Sequence, residues 1–341
     1  MKKLHVFDKI LWFVNRAFAI ILLLSYILPF LPPKTFSILS VLSLGVAFLI
    51  LVNVLFVLYW LLRLKKYVIL SSVVLFIGYV SFGSLYKFAA TKQVESKGNF
   101  TIMNYNVRLF NLYEWIPKPR IENKIVNLIK QASPDILSLQ EYHPHENVDL
   151  SFYPYKYTKL FGNKVKYGQA IFSKFPIVNS GSVEFPETSN NAIFADVVIH
   201  TDTVRVYNIH LESMRINTNT ESLRQEDSER LFKRIGATFK MQQFQTELFL
   251  LHKTQCHYKM IICGDFNNTA FSYVYRKIKG DLNDTFKAAG SGFGRTHEFR
   301  FFPIRIDFIL TDDAFAINGF REFNIHYSDH YPVMATLNLN E

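Results

Sequence analysis

The sequence predicts a mixed α/β domain that is preceded by three transmembrane helices. Three apolar runs fill most of the first 86 residues, whereas the remainder alternates short apolar strands with amphipathic helices. Charge divides at nearly the same place, since residues 1–99 hold 11 Lys/Arg against 2 Asp/Glu and residues 100–341 hold 27 against 26. The basic excess therefore belongs to the apolar part. This argues against a strongly basic nucleic-acid-binding domain.

The apolar runs cover Ile10–Leu31, Phe36–Leu62 and Tyr67–Tyr86. A helix needs about 20 apolar residues to cross a bilayer, and each run reaches that length. The first run contains one charge, Arg16, near its start, where a long side chain can reach the interface. A cleaved signal peptide is the alternative for this run, but the run is long and two others follow it. We therefore expect a membrane anchor over residues 1–86 with helices at about 10–31, 36–62 and 67–86.

Positive charges predict how the anchor is oriented. Three lysines precede the first run and three basic residues separate the second from the third, whereas the loop between the first two runs carries only Lys34. Basic residues favour the cytoplasmic side, so the chain after Tyr86 is expected outside the cytoplasm, at the inner or plasma membrane. Lys87, Lys92 and Lys97 are a contrary signal. Residues 87–98 read as a polar linker to a domain over 99–341, and no protein partner is evident.

Period-2 apolar patterns predict the strands of this domain, and period-3.6 patterns predict its helices. Strands are expected at Thr101–Val107, Asp135–Leu139, Gln169–Ser173, Ala192–Ile199, Val204–Leu211, Met260–Asp265, Arg305–Leu310 and Val333–Leu339. Helices are expected at Pro119–Ala132, at Phe271–Ile278 and in the later part of Asn217–Leu251, after a polar loop.

The stretch Met260–Asn267 has the most informative local pattern. Four apolar residues predict a buried strand, Gly264 permits a sharp turn, and Asp265 and Asn267 follow two positions apart. Such spacing places both side chains on one side of an extended chain, at the mouth of a sheet. An Asx-turn that simply closes the strand is the alternative.

Two cysteines, Cys256 and Cys263, are too few for a disulfide framework or a Cys-rich zinc site. Cys263 lies in a predicted buried strand, where a packed free thiol is the ordinary interpretation. A bridge between the two stays open, since the sequence does not give their separation.

Polar side chains recur where the predicted strands end. They are Asn106, Glu141, His210, Asp265, Asn267, Asp307, Asp329 and His330. Each has an ordinary explanation alone. For Asp307 this is an ion pair with Arg305 or Arg300, and a histidine on an apolar strand is usually a core residue. Together they suit phosphoester hydrolysis, in which hard oxygen ligands hold Mg²⁺ or Mn²⁺ and a carboxylate or imidazole moves a proton.

Six short motifs also stand in the order found in one large family. They are Tyr105-Asn106-Val107-Arg108, Leu139-Gln140-Glu141, Asn208-Ile209-His210-Leu211, Gly264-Asp265-Phe266-Asn267, Arg305-Ile306-Asp307-Phe308 and Ser328-Asp329-His330-Tyr331-Pro332. With these motifs, residues from about 99 to 341 resemble the endonuclease/exonuclease/phosphatase superfamily, which has the deoxyribonuclease-I-like fold. The resemblance implies a two-sheet β-sandwich flanked by helices, with the site at one rim. It also implies a metal-dependent hydrolase of phosphate esters.

The resemblance further implies a role for each polar residue. Glu141 would be the main ligand of Mg²⁺ or Mn²⁺, assisted by Asn106. Asn267 and His210 would contact the phosphate.

For the remaining residues, Asp265 would position the attacking water, and Asp307 would pair with a histidine or touch the metal. Asp329 would orient His330. The general base stays open between Asp265 and His330.

Two residues differ from the motifs of one branch of this family and narrow the choice among its branches. Abasic-site endonucleases usually carry an acidic residue where Arg108 stands and a tyrosine where His210 stands, so a DNA-repair role is disfavoured. The substrate stays open between nucleic acid and a lipid headgroup, cleaved as a phosphodiester or a phosphomonoester. A non-catalytic membrane protein that keeps the fold as a binding module is the remaining alternative.

Overall fold

A computed structural model describes residues 5–83, 85–88, 94–215, 227–299 and 302–339 of the chain. Within them, two six-stranded sheets pack face to face beneath flanking helices, and a bundle of apolar helices precedes them. The expected two-sheet architecture is therefore present.

The described residues form twelve strands. They are β1 Phe100–Asn106, β2 Ile136–Tyr142, β3 Tyr155–Phe161, β4 Tyr167–Ser173, β5 Ile177–Glu184, β6 Asn191–Ile199, β7 Asp202–His210, β8 Lys259–Asp265, β9 Asn283–Asp284, β10 Asp307–Thr311, β11 Phe315–Glu322 and β12 Val333–Leu339. The first sheet has the order β11-β12-β1-β2-β4-β3, and the second has the order β5-β6-β7-β8-β10-β9. All eight expected strands are present, with bounds shifted by a few residues.

The helices are α1 Val6–Ser25, α2 Pro33–Val41, α3 Val46–Leu62, α4 Val68–Phe82, α5 Ile121–Ala132, α6 Ser228–Lys253, α7 Tyr273–Lys279 and α8 Thr285–Ala289. Three of them confirm the helices expected in the α/β domain. The polar loop expected before α6 lies largely outside the described residues.

Strand directions explain why the polar motifs recur at strand ends. β1 runs parallel to β2, and β7 runs parallel to β8, so the carboxyl ends within each pair share an edge. β12 and β10 run antiparallel to β1 and β8, so their amino ends reach the same edges. Each sheet therefore presents three strand ends at one rim.

Three apolar layers hold the domain together. Ile102 and Ile171 from the first sheet meet Val206 and Ile261 from the second in the central layer. The first sheet buries its outer face under α5, and the second under α6 and α7. Full burial of an aliphatic or aromatic side chain contributes about 1.5–3 kcal/mol. Cys263 is fully buried in the central layer, and both it and Cys256 are free thiols, so they form no bridge.

The apolar helices correspond only in part to three membrane spans. Val6–Phe30 and Pro33–Leu62 are long and apolar enough to cross a membrane, a test that a signal sequence near an N-terminus also passes. The third run forms α4, which has 15 residues and ends before Gly83. At a rise of about 1.5 Å per residue, α4 is shorter than the roughly 30 Å hydrocarbon core of a bilayer. The third expected span is therefore helical and apolar but shorter than predicted.

Polar side chains lie inside this helical bundle. Asn15 donates to Ser71 over 2.6 Å, Ser71 donates to Asn53 over 2.9 Å, and Trp60 donates to Asn15 over 3.0 Å. The outward faces are apolar, with Phe13 66% exposed. Hydrogen bonds between helices with apolar groups outside are typical of membrane bundles.

The bundle is attached to the α/β domain by specific contacts. The backbone N–H of Lys34 donates to Gln243 of α6 over 2.8 Å, and the Lys34 ammonium contacts Glu247. The Lys287 ammonium donates to the Phe82 carbonyl at the end of α4 over 2.7 Å. These contacts fix one end of the bundle against the second sheet's outer helices.

Candidate active site

The site is built around Asp265, the last residue of β8. In the parallel register of β7 and β8, His210 lies directly opposite Asp265. Their Nε2 and Oδ2 atoms are 3.7 Å apart, and Asp265 is 1% exposed. Gly264 permits this approach, because its φ is +152° and a Cβ there would lie 2.1 Å from the Ile209 carbonyl oxygen. The glycine thus brings the two strand ends together.

Three further groups surround the Asp265 carboxylate. Asn106 donates to Oδ2 over 3.1 Å, and the His330 Nε2 lies 3.6 Å from the same oxygen. The backbone N–H of Asn267 donates to Oδ1 over 2.8 Å, which is an Asx-turn. Asp265 therefore closes β8 with an Asx-turn and also lies at the centre of the group of polar side chains.

The His330 ring is oriented by Asp307. Its Nδ1 lies 2.9 Å from Asp307 Oδ2, so Nε2 points toward Asp265. Sequence reasoning assigned this orienting role to Asp329, while allowing that Asp307 pairs with a histidine. The structure brings Asp307 to His330 because β10 starts at Asp307, beside the end of β8.

Asp329 instead contacts Arg108. Their side chains form a salt bridge of 3.2 Å, and Asp329 also accepts from Ser328 Oγ over 3.2 Å. The Arg108 guanidinium stacks 4.5 Å from the centre of the Trp115 ring. Arg108, which stands where abasic-site endonucleases usually carry an acidic residue, therefore holds the Asp329 carboxylate at the rim.

Asn106 joins the two sheets at the site. Its amide nitrogen donates to Glu141 Oε1 over 3.2 Å as well as to Asp265, whereas its oxygen accepts from the Arg108 backbone N–H over 3.1 Å. The amide nitrogen of Asn106 thus faces Glu141, and its oxygen faces the Arg108 backbone. Glu141 has a φ of +50°, a left-handed conformation at the end of β2 that aims the carboxylate into the rim.

Asn267 lies at the edge of this group. Its φ is +49°, and its side-chain amide donates to the Leu211 carbonyl over 2.9 Å. That bond ties the end of β8 to the end of β7, and Asn267 is buried.

Sequence reasoning missed His297, which packs edge-on against the His330 ring with centroids 4.7 Å apart. Its backbone also pairs with that of His330. No short motif marks His297, because a lone histidine in a loop carries no spacing signal.

A buried polar layer supports the site from below. Gln140 donates to Asn104 over 2.8 Å and to Asn208 over 2.6 Å, and Asn208 donates to the Leu139 carbonyl over 2.8 Å. These bonds connect the two sheets directly beneath the rim and limit their movement relative to each other.

Burial and close charges set the protonation states. Burial raises the pKa of Asp265 to about 6, against the lowering effect of His330. Burial disfavours a charged ring at His330, but the carboxylates of Asp307 and Asp265 outweigh it and raise the pKa of His330 to about 10. Burial lowers the pKa of His210 and, at the rim, burial and the charge of Asp329 raise the pKa of Glu141. At neutral pH, Asp265 is thus mostly ionised and His330 is protonated.

The raised pKa of His330 predicts how stability depends on pH. The stabilisation is fully present below the ordinary pKa of 6.5 and is lost as the pH rises through about 10. We expect the melting temperature of the full chain in detergent to fall across this interval. It should fall less in His330→Gln, measured by tryptophan fluorescence, while His200→Gln keeps the parent slope. Equal slopes in all three proteins would show that His330 is not charged by its neighbours.

Comparisons with known proteins agree with this geometry. The sequence profile described as "Endonuclease/Exonuclease/phosphatase family" matches residues 103–330. A profile described as a domain of unknown function, DUF8431, matches residues 8–85. A search of curated proteins finds no match.

Solved structures share the fold at low identity. The chain is similar to the endonuclease/exonuclease/phosphatase from Bacteroides vulgatus, with 16% identity, a TM-score of 0.53, and coverage of 71% of this chain and 99% of that chain. It is also similar to a family protein from Bacteroides thetaiotaomicron, with 17% identity, a TM-score of 0.52, and coverage of 71% and 98%. The human Nocturnin catalytic domain, solved with a bound sulfate anion, gives 19% identity, a TM-score of 0.51, and coverage of 75% and 97%.

Proposed function

The chain belongs to the endonuclease/exonuclease/phosphatase family and is a phosphoesterase hydrolase, and we propose that it uses Mg²⁺ or Mn²⁺ to hydrolyse a phosphate ester beside a membrane. One observation carries this proposal. A single buried carboxylate oxygen, Asp265 Oδ2, has His210, His330 and Asn106 within 3.7 Å. A carboxylate held between an imidazole and an imidazolium is suited to proton transfer.

The raised pKa of His330 supports Asp265 as the proposed base. His330 is already protonated at neutral pH, so Asp265 accepts the proton of the attacking water. The water oxygen bonds to phosphorus, the ester P–O bond breaks, and the departing oxygen takes a proton from His330 Nε2. The proton on Asp265 then returns to His330 across 3.6 Å. His210 and Asn267 lie beside this path and are proposed to contact the phosphoryl oxygens, and Asp307 keeps the His330 ring oriented.

The residues fit a hard divalent cation. Glu141 lines the cleft, and among the described residues no Lys, Arg or His lies within ion-pair distance of its carboxylate. Asp307 Oδ1 is buried without a hydrogen-bond partner in the described part of the chain. Mg²⁺ is usually held by one or two carboxylates together with substrate phosphate. We assign Glu141 as the ligand and Asn106 as the residue that positions it. A bound cation would neutralise phosphate charge and polarise the P–O bond.

The N-terminal bundle is proposed to be a multi-pass membrane anchor over residues 1–86, followed by a linker over 87–98 and the catalytic domain over 99–341. Its polar residues face inward and its large apolar residues face outward, with Asn15 0% and Leu24 59% exposed, as in a membrane bundle. The Arg63–Asp8 salt bridge lies at the end opposite the catalytic domain. With the basic end in the cytoplasm, the catalytic domain is extracytoplasmic.

Metal activation of the full chain in detergent tests the proposal. We expect hydrolysis of bis-p-nitrophenyl phosphate only with Mg²⁺ or Mn²⁺. Glu141→Gln should raise the Mg²⁺ concentration for half-activation by at least about tenfold, since even the hydrogen-bonding partners of metal ligands change affinity by about 10–100-fold when lost. The control is Glu184→Gln, at the distant edge pair with Lys159. Metal-independent turnover, or an unchanged Mg²⁺ dependence in Glu141→Gln, would refute the assignment.

A further inference from the structure

The catalytic groups open into a cleft that the membrane anchor helps to build. The cleft has a volume of about 790 Å³ and is lined at one end by Glu141, Asp265 and His330. Its other end is lined by Ala47, Phe48 and other residues of the anchor. One continuous space therefore joins the candidate reaction centre to the helices proposed to lie in the bilayer.

The anchor wall of this cleft is held in place by the catalytic domain. Lys287 bonds the end of α4, and the Phe82 ring lies 6.3 Å from the ring of Phe271. Lys87, just beyond the anchor, pairs by its backbone with Gly292. The wall is thus packed against the catalytic domain.

The far half of the cleft is apolar and reaches the outer surface of the bundle. Leu44, Ala47 and Leu51 line it together with Phe302 and Pro303. Phe48 is 57% exposed and Leu51 is 43% exposed, so the cleft wall continues into the lipid-facing side of α3. In the proposed membrane placement, a hydrocarbon chain would enter this half sideways along α3.

The cations of the cleft do not suit a polyanion. Four Lys or Arg residues line it in the described part of the chain: Arg108, Arg215, Lys287 and Arg305. Arg108, Lys287 and Arg305 already contact Asp329, the Phe82 carbonyl and Asp284. Of these four, Arg215 alone is open to solvent, because it is 82% exposed and lies 3.8 Å from Glu212. A nucleic acid needs several free cations for successive phosphates, whereas one phosphate group at His330 needs none of them.

We infer that the substrate is an amphiphilic phosphate ester taken from the membrane, with its phosphate at Asp265 and His330 and its hydrocarbon chain between α3 and the Phe302–Pro303 segment. This inference rests on the proposed function and names its substrate class. The reaction is the hydrolysis described above: water supplies the new P–O oxygen, the ester P–O bond breaks, and the alcohol leaves with one proton. The anchor is therefore part of the substrate-binding site.

Two synthetic diesters that share one leaving group test the inference. They are butyl and hexadecyl p-nitrophenyl phosphate, each offered to the full chain in dodecyl maltoside micelles with Mg²⁺. The hexadecyl ester should have a kcat/KM higher by about tenfold or more, because burial of a few methylene groups gives that factor. Ala47→Phe, which fills the apolar half, should reduce this ratio toward one. Ala17→Phe, which adds the same ring on the exposed side of α1, should keep it.

The possible outcomes distinguish failure of the amphiphilic-substrate inference from failure of the proposed phosphate-ester hydrolysis. Turnover of neither ester with any divalent metal would remove the proposed function itself. Equal turnover of both esters, or equal ratios in the two phenylalanine variants, would overturn the lipid inference and leave the function standing. Faster cleavage of a single-stranded oligonucleotide than of the hexadecyl ester would also overturn it. If Ala47→Phe does not fold, Phe302→Ala, on the opposite wall, should lower the same ratio.

Discussion

Asp265→Asn should lower kcat for phosphate-ester hydrolysis by about 10²–10⁴-fold, the usual contribution of a general acid or base. Asparagine has nearly the same shape, so it keeps the Asn267 turn, but it cannot accept the proton of the attacking water. The substitution also removes the negative charge that lies 3.6 Å from His330 and 3.7 Å from His210. Initial rates with bis-p-nitrophenyl phosphate at saturating Mg²⁺ would measure the loss.

Two companion variants make this result specific. Asp202→Asn removes a carboxylate whose partner is the surface residue Lys259, and it should leave kcat unchanged. His330→Gln should lose activity to a similar extent, and the double variant with Asp265→Asn should lose little more, because the two groups exchange one proton. Retention of parent activity in Asp265→Asn would exclude Asp265 as the base. Fully multiplicative losses in the double variant would exclude the shared proton.

Arg305→Met should lower the free energy of unfolding by about 3–5 kcal/mol, the cost of leaving one member of a buried ion pair without its partner. The Arg305 Nη1 donates to both Asp284 oxygens, over 3.0 and 2.8 Å, and the two side chains are 9% and 1% exposed. Asp284 also accepts from the Tyr275 hydroxyl over 2.6 Å and caps α8. Asp284 therefore connects Arg305, α7 and α8. Loss of Arg305 leaves its buried carboxylate without a cationic partner.

Pulse proteolysis across a urea series would measure this loss. Lys233→Met is the control, because Lys233 pairs with Glu229 on the exposed surface of α6, where such pairs contribute little. Because Arg305 lies two residues before Asp307, Arg305→Met should also lower hydrolysis. A variant as stable as the parent would show that another cation, such as Lys287, compensates for Asp284.

The strands that the sequence did not reveal share one property. They are β3, β5, β9 and β11, and each lies at an edge of its sheet. An edge strand is covered on fewer sides, so polar residues interrupt its apolar pattern; β3, for example, contains Lys156 and Lys159. The eight strands with clear patterns are the inner ones, which are buried between neighbours. Periodicity therefore reports burial, and it becomes weak where burial ends.

Sequence reasoning identified which residues gather at the site better than what each one contacts. Strand ends placed Asp265, His210 and His330 together because strand direction follows from the fold. The partner of a side chain depends on its rotamer and on loop paths, so the sequence did not show that Asp307 takes the His330 ring and Asp329 takes Arg108. Pairing with Arg305 was the ordinary alternative for Asp307, but the structure pairs Arg305 with Asp284. Arg300, the other partner in that alternative, lies outside the described residues.

If the N-terminal bundle is the membrane anchor proposed above, the 15 residues of α4 have a consequence for how deeply the catalytic domain sits against the bilayer. A helix of about 22 Å is shorter than an average hydrocarbon core, and such a mismatch is met by local thinning of the bilayer or by sinking of the attached domain. Lys287 binds directly to the end of α4, so no flexible linker separates the catalytic domain from this helix at that contact. Headgroups would then surround the reaction centre at its own level, and activity would vary with acyl-chain length of the host membrane, falling as the bilayer thickens.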